Sequence, residues 1–347
     1  MKKLSLPLLT LYADVQQQLQ TTVALPGSVY EQDVKGRPYL RAAVNVGAGR
    51  RMMHLGPADD PEAKAAAERI RAEMRLSRER RRIVRTLREA GFGNPGPDLG
   101  AVLEAVAAAG LFQAGAVLVG TGAYQCMSAL VGAALPASAM TTQDADIATA
   151  TLTLTANAVE LTSDEPEPPV RRGKKGRPAL LEILRWADRS FDPIPDLNPR
   201  ALPARYRSAS GFVVDVLAPR LRRSDPSPIG IPELNAGGLL LQHLDWLIAE
   251  TQDAVALHGS GILVRVPVPA RYAVHKLIIA QKRLSGDGSK RFKDLEQARA
   301  MIEVLRDRDR FALADALEDA RGRGDKGWAA PIDNSLAELG VKIDDLL

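Results

Sequence analysis

Val117-Leu118-Val119-Gly120-Thr121-Gly122 reads as an apolar strand running into a tight turn. Downstream, Thr141-Thr142-Gln143-Asp144-Ala145-Asp146-Ile147 carries two aspartates separated by one residue. A third aspartate, Asp215, interrupts the apolar run Phe212-Val213-Val214-Asp215-Val216-Leu217. Alternate residues of a strand share a face, so Asp144 and Asp146 point one way and Ala145 the other. An ionised carboxylate among valines is expensive unless it is paired or bound to a cation.

Two carboxylates this close repel unless a cation sits between them. Magnesium is the natural candidate, being hard and oxygen-seeking, with manganese as an alternative. If the Asp215 strand pairs beside the first, three carboxylates converge as a set for two metal ions. Such a set suits phosphoryl or nucleotidyl transfer. Gly120, Thr121 and Gly122 supply the other half: glycines let backbone amides approach phosphate oxygens, and a following helix presents its N-terminal amides. Lys276 and Arg283 are seven apart on a predicted helix from Pro269 to Leu284, hence on one face. Lys276 there would neutralise β- or γ-phosphate charge. Plainer readings stand beside these. Asp-x-Asp is often an exposed turn, Asp215 pairs equally well with Arg205 or Arg207, and Lys276 is equally an exposed helical lysine. His275 is read as structural.

Outward from this centre, the chain divides by composition into residues 1–95, 96–225 and 226–347. The first part starts with a helix, since the apolar opening is broken by Pro7 and runs into Asp14 and glutamines rather than a cleavage site. Short β-branched and aromatic runs around Lys35-Gly36 then predict hairpins. One long helix follows from Pro61 to Ala90, rich in arginine. That helix is either a nucleic-acid-facing element or a solvated helix with intrahelical pairs. Gly91 to Pro97 is a linker, and Asp98 is expected to cap the next helix. Helices are expected over Thr121–Ala134, Ala179–Arg189, Leu234–Glu250 and Lys290–Arg306. Strands are expected over Asp144–Leu154, Gly211–Ala218 and Gly261–Val266. Residues 164–178 read as a charge-segregated loop.

The chain has 347 residues, 46% of them apolar but only 4% aromatic, so its core leans on aliphatic side chains. The net charge of +4 is compatible with an anionic partner without demanding one. Cys126 is the single cysteine, which excludes an internal disulfide and a cysteine zinc cluster and fits a reducing cytoplasm. It reads as a small buried hydrophobe. No run reaches the length of a membrane span.

At Gly120-Thr121, Asp144-x-Asp146 and Asp215 the chain resembles the DNA polymerase beta-type nucleotidyltransferase superfamily in its minimal bacterial form, with threonine where serine is usual. It is also similar to a poorly characterised bacterial family of nucleotidyltransferase-fold proteins. That likeness rests on Lys35-Gly36-Arg37-Pro38-Tyr39, Leu55-Gly56-Pro57, Val266 to Leu277 and Lys293-Asp294-Leu295-Glu296-Gln297-Ala298. The lysine helix followed by Lys293-Asp294 is similar to abortive-infection nucleotidyltransferase toxins. The resemblance implies an α+β protein: a mixed sheet with flanking helices, an N-terminal hairpin and helix module, and a helical C-terminal domain. It maps Asp144, Asp146 and Asp215 onto metal ligands, Gly120 and Thr121 onto the phosphate turn, and Lys276 onto a triphosphate contact. The expected activity is magnesium-dependent transfer of a nucleoside monophosphate from a triphosphate such as ATP to a hydroxyl, an RNA or tRNA end being favoured. The rival expectation is a catalytically silent nucleic-acid-binding protein on the same fold.

Overall fold

The computed structural model describes residues 1–21, 27–46, 49–140, 144–148, 179–222, 224–225, 227–283 and 288–346. The expected loop at 164–178 and the end of the strand expected to reach Leu154 lie outside the described residues.

Helix α1 (Leu6–Thr21) precedes an antiparallel meander of β1 (Gly27–Val34), β2 (Arg37–Val46) and β3 (Gly49–Pro57). The first hairpin turns at Lys35-Gly36, with φ of 56° and 82°, the left-handed pair that a two-residue turn requires. The Gly36 amide donates to Asp33 Oδ1 at 2.8 Å, tying the turn to the strand before it. Helix α2 (Pro61–Glu89) is capped by Asp60, whose carboxylate accepts from the Glu62 amide at 3.0 Å. Its buried residues, Ala63, Ala67, Met74, Ser77, Arg80, Val84 and Leu87, recur at helical spacing and face the meander and α1.

Helix α3 (Pro97–Ala108) starts two residues earlier than expected: Gly96 is the cap and Asp98 lies within the first turn. Next come β4 (Val117–Val119), α4 (Gly120–Cys126) and β5 (Asp144–Ala148). The helix expected to continue to Ala134 ends at Cys126, and the chain then turns through Gly132 at φ 64°. Helix α5 (Leu180–Ala187) packs on α3 and leads through β6 (Asp192–Pro193) and β7 (Arg205–Arg207) to β8 (Val213–Pro219).

The apolar run from Leu234 to Glu250, expected as one helix, is instead divided between a strand and a short helix. Following β9 (Ile229–Ile231), residues Ala236–Leu241 form β10, and only the short α6 (Leu244–Ile248) is helical. A fully buried strand and a buried helix look alike in an unbroken apolar run. Gly237 and Gly238 decide the matter: a Cβ on Gly237 would meet the Leu202 carbonyl at 2.4 Å, and one on Gly238 would meet Ala218 at 3.0 Å. Atoms of neighbouring segments occupy the space that a side chain at either position would need.

The main sheet runs β4-β5-β8-β10-β9, with β7 and β6 joined to β8. β5 and β10 flank β8 in parallel, while β4 and β7 are antiparallel to their partners. The sheet thus continues past residue 225. A separate antiparallel pair, β11 (Thr251–Ala256) and β12 (Ile262–Pro267), packs against β4. Helices dominate only from α7 (Pro269–Lys282), through α8 (Gly288–Arg308) and α9 (Arg310–Gly322) to α10 (Ala330–Glu338). α7 lies at the middle of this group, against the other three. One large apolar core joins these helices to the sheet, and a smaller one sits between α1, the end of α2 and β11. The fold is therefore mixed α and β. Among the described residues no helix is long and apolar enough to cross a membrane.

Candidate active site

β5 and β8 bring the aspartates together. They pair in parallel with Asp146 directly opposite Asp215, and Ala145 and Ile147 are opposite Val214 and Val216. In a parallel ladder, residues in register share a face. The four apolar residues are buried on one side, and the half-buried Asp144, Asp146 and Asp215 share the other. The hydrophobic alternation of both strands thus forces the carboxylates to one surface.

The glycine turn closes on this surface. Val119 pairs with Asp146, which places Gly120 beside the Asp146 side chain. Gly120 has φ +62°, and a Cβ there would meet Asp146 Oδ2 at 2.3 Å. Only glycine fits this backbone and this approach. Thr121 is buried with its hydroxyl turned toward Gln297 Nε2, 3.4 Å away. Gly122 is also buried; a Cβ there would sit 3.0 Å from Leu118 Cδ1. Its lack of a side chain serves packing.

Asp146 carries the electrostatic stress of the site. Burial, followed by the charges of Asp144 and Asp215, pushes its pKa up to about 7, against a smaller pull from Lys276 and Arg283. Asp215 is held differently. Arg205, opposite it on β7, donates from Nε to Oδ1 at 2.9 Å and from Nη2 to Oδ2 at 3.2 Å. The plainer sequence reading of Asp215 as an arginine partner is therefore realised, on the same face as the other two aspartates. Hydrogen bonding to Asp215 raises the Arg205 pKa, burial opposes this, and the charges of Asp215, Asp146 and Asp144 add to the rise. Among the described residues no three acidic, histidine or cysteine side chains form a ready metal cage.

Lys276 and Arg283 do share a face, but they turn to a carboxylate that the site prediction omitted. Lys276 Nζ is 2.6 Å from Asp294 Oδ1, and Arg283 Nε is 2.9 Å from Asp294 Oδ2. Lys276 and Asp294 are both buried, with side chains 5% and 1% exposed, so Lys276 is not the exposed helical lysine of the plainer reading. Burial alone would raise Asp294, yet the two cations hold it below its ordinary value. Lys293, half-buried beside them, is pushed down by burial and by Lys276, while Asp144, Asp294 and Asp146 pull it up.

Tyr272 and Gln297 were also missed. The buried Tyr272 hydroxyl lies 3.0 Å from the Gly120 carbonyl and 2.9 Å from Gln297 Oε1, and shares its one hydrogen between them. Gln297 Nε2 donates to the Ala139 carbonyl at 2.7 Å. α7 and α8 thus clasp the Gly120-Thr121 turn from behind. The available signal was that Tyr272, Lys293, Asp294 and Gln297 all fall in the segments that carry the family likeness. His275 is buried and its pKa is lowered to about 3, chiefly by burial, so it is a neutral structural residue. Cys126 is buried too, and burial raises its thiol to about 12.

A family model described as nucleotidyltransferase matches residues 97–322, from α3 to the end of α9 and well over half of the chain. No curated protein and no solved structure matches it. The match spans both aspartate strands, the glycine turn and the helices that clasp it. The chain belongs to this nucleotidyltransferase family and is a transferase of nucleotidyl groups.

Proposed function

We propose that Asp144, Asp146 and Asp215 hold divalent magnesium, and that the site moves a nucleoside monophosphate from a triphosphate to a hydroxyl acceptor, an RNA end. The observation that carries this reading is the parallel register of Asp146 with Asp215, with Gly120 pressed against the same carboxylate.

The donor set fits such an ion. It consists of hard carboxylate oxygens, and Asp146 is raised toward neutrality by negative neighbours that a cation would offset. A bound divalent ion supplies positive charge that stabilises phosphate oxygens and lowers the pKa of an attacking oxygen. Asp215 is the third ligand, and its carboxylate takes the acceptor proton once Arg205 releases it. The acceptor oxygen forms a bond to the α-phosphorus, the bond to the bridging oxygen breaks, and pyrophosphate leaves. Gly120 and Thr121 offer backbone amides to the phosphates. Lys276 and Arg283 contribute charge from behind Asp294, and Arg205 is free to face substrate after leaving Asp215.

Incubation with labelled triphosphates, magnesium and total RNA tests this reading. The wild-type protein is expected to label RNA, and Asp144→Asn to lower the rate by at least about a hundredfold, a typical cost for losing one electrostatic group at a reacting centre. Undiminished labelling by the variant would remove the site assignment. Triphosphate-independent RNA binding without any transfer would favour the silent binding protein.

A further inference from the structure

The structure separates the arginines of α2 into two kinds. Arg80 points inward: it is fully buried, and its Nε donates to the Ser260 carbonyl at 3.3 Å. On the opposite side, at 100° per residue, Arg75, Arg78, Arg82 and Arg85 fall within an arc of about 80°. All four are exposed, and Arg81 and Arg88 are exposed beside them. Among the described residues none of these six is in an ion pair, and neither are their neighbours Glu79 and Glu89. A solvated helix stabilised by its own i,i+4 pairs would show those pairs. Here the stripe forms none of them.

From Arg75 to Arg85 the stripe runs about 15 Å along the helix. That suits a run of consecutive backbone phosphates rather than one anionic group. The helix is also tied to the reaction centre. Beyond its C-terminal end, the Gly93 amide donates to Ser128 Oγ at 3.2 Å, and a Cβ on Gly93 would meet the Gln125 carbonyl of α4 at 2.4 Å. α4 is the helix that opens at Gly120. The stripe itself lies outside the family-matched stretch, which begins at residue 97.

We infer that this face of α2 is a docking surface for the phosphate backbone of an RNA whose end enters the aspartate site. The inference rests on the acceptor reading given above for that site. Phosphates placed along the stripe release their counterions, so binding is steeply salt-dependent and indifferent to base sequence. Arginine forks meet phosphate oxygens through two parallel hydrogen bonds.

The test uses the full-length protein and a 5′-fluorescein-labelled RNA hairpin with a free single-stranded 3′ end, without triphosphate or magnesium. Anisotropy is read across a salt series. Arg78→Ala/Arg82→Ala/Arg85→Ala is expected to weaken binding roughly tenfold or more and to reduce the slope of log K against log salt by about 2–3. The corresponding triple lysine variant is expected to keep the slope. Because binding is read without triphosphate or magnesium, failed docking is told apart from failed transfer. An unchanged slope in the triple alanine variant overturns the proposal. So does binding to phosphatidylserine vesicles with none to RNA.

Discussion

Gly120 and Asp146 are in contact across the β4–β5 ladder, and each restricts the other. At φ +62° any side chain strains the backbone, and a Cβ would collide with the carboxylate. Gly120→Ala is expected to cost about 1–3 kcal/mol of stability and to depress nucleotidyl transfer even where the protein stays folded. Chemical denaturation beside a transfer assay reads both; an alanine variant of full stability and full activity would remove the close approach from the mechanism. Asp146 makes a second prediction. Its folded pKa of about 7 exceeds the ordinary carboxylate value of 3.8, so the native state holds a proton that the unfolded chain has lost between those limits. Stability from this group therefore falls as pH rises from about 4 to 7, and the full penalty remains above 7. Asp146→Asn is expected to raise stability at pH 8 by about 1–3 kcal/mol, with the gain vanishing near pH 4. Melting curves across pH, with and without magnesium, measure it. A gain that grows as pH falls would contradict the cause assigned here.

At the scale of elements, α7 and α8 are what fix the glycine turn. Tyr272 comes from α7 and Gln297 from α8, and together they engage the Gly120 carbonyl and face the Thr121 hydroxyl. Tyr272→Phe keeps the ring and removes the hydroxyl. It is expected to cost about 1 kcal/mol of stability, the usual net worth of such a bond, and to lower kcat more than it raises KM for the triphosphate. A purely structural loss would shift stability alone, so an unaltered kcat in the folded variant would count against positioning by this hydroxyl. The Lys276–Asp294–Arg283 cluster joins the same two helices, and its buried charges are tolerable only because they are mutually paired. The helix expected from Leu234 to Glu250 failed at this scale. Periodicity alone could not show that β8 and β9 would flank its apolar residues.

Over the whole molecule, the sheet and the C-terminal helices share one apolar core. Buried α7 residues such as Val274, Leu277 and Ile278 lie between them. A chain ending after Lys282 would expose that face and strip Tyr272 of Gln297 and Lys276 of Asp294. It is expected to lose its cooperative thermal transition, as followed by circular dichroism; a sharp melt near that of the full chain would show that the helices are dispensable. The sequence by itself determined the facing of the aspartates, the hairpin at Lys35-Gly36, the long α2 and the glycine turn. Each is encoded locally, in a period of two, a left-handed turn pair, a capped helical run or a residue without a Cβ. Only the tertiary structure decided that Asp146 stands opposite Asp215, that Arg205 holds Asp215, that Lys276 turns to Asp294, and that Tyr272 reaches Gly120. Those pairings join residues far apart in the chain, and what selects them is the burial of the apolar sides of whole strands and helices, which no local pattern contains.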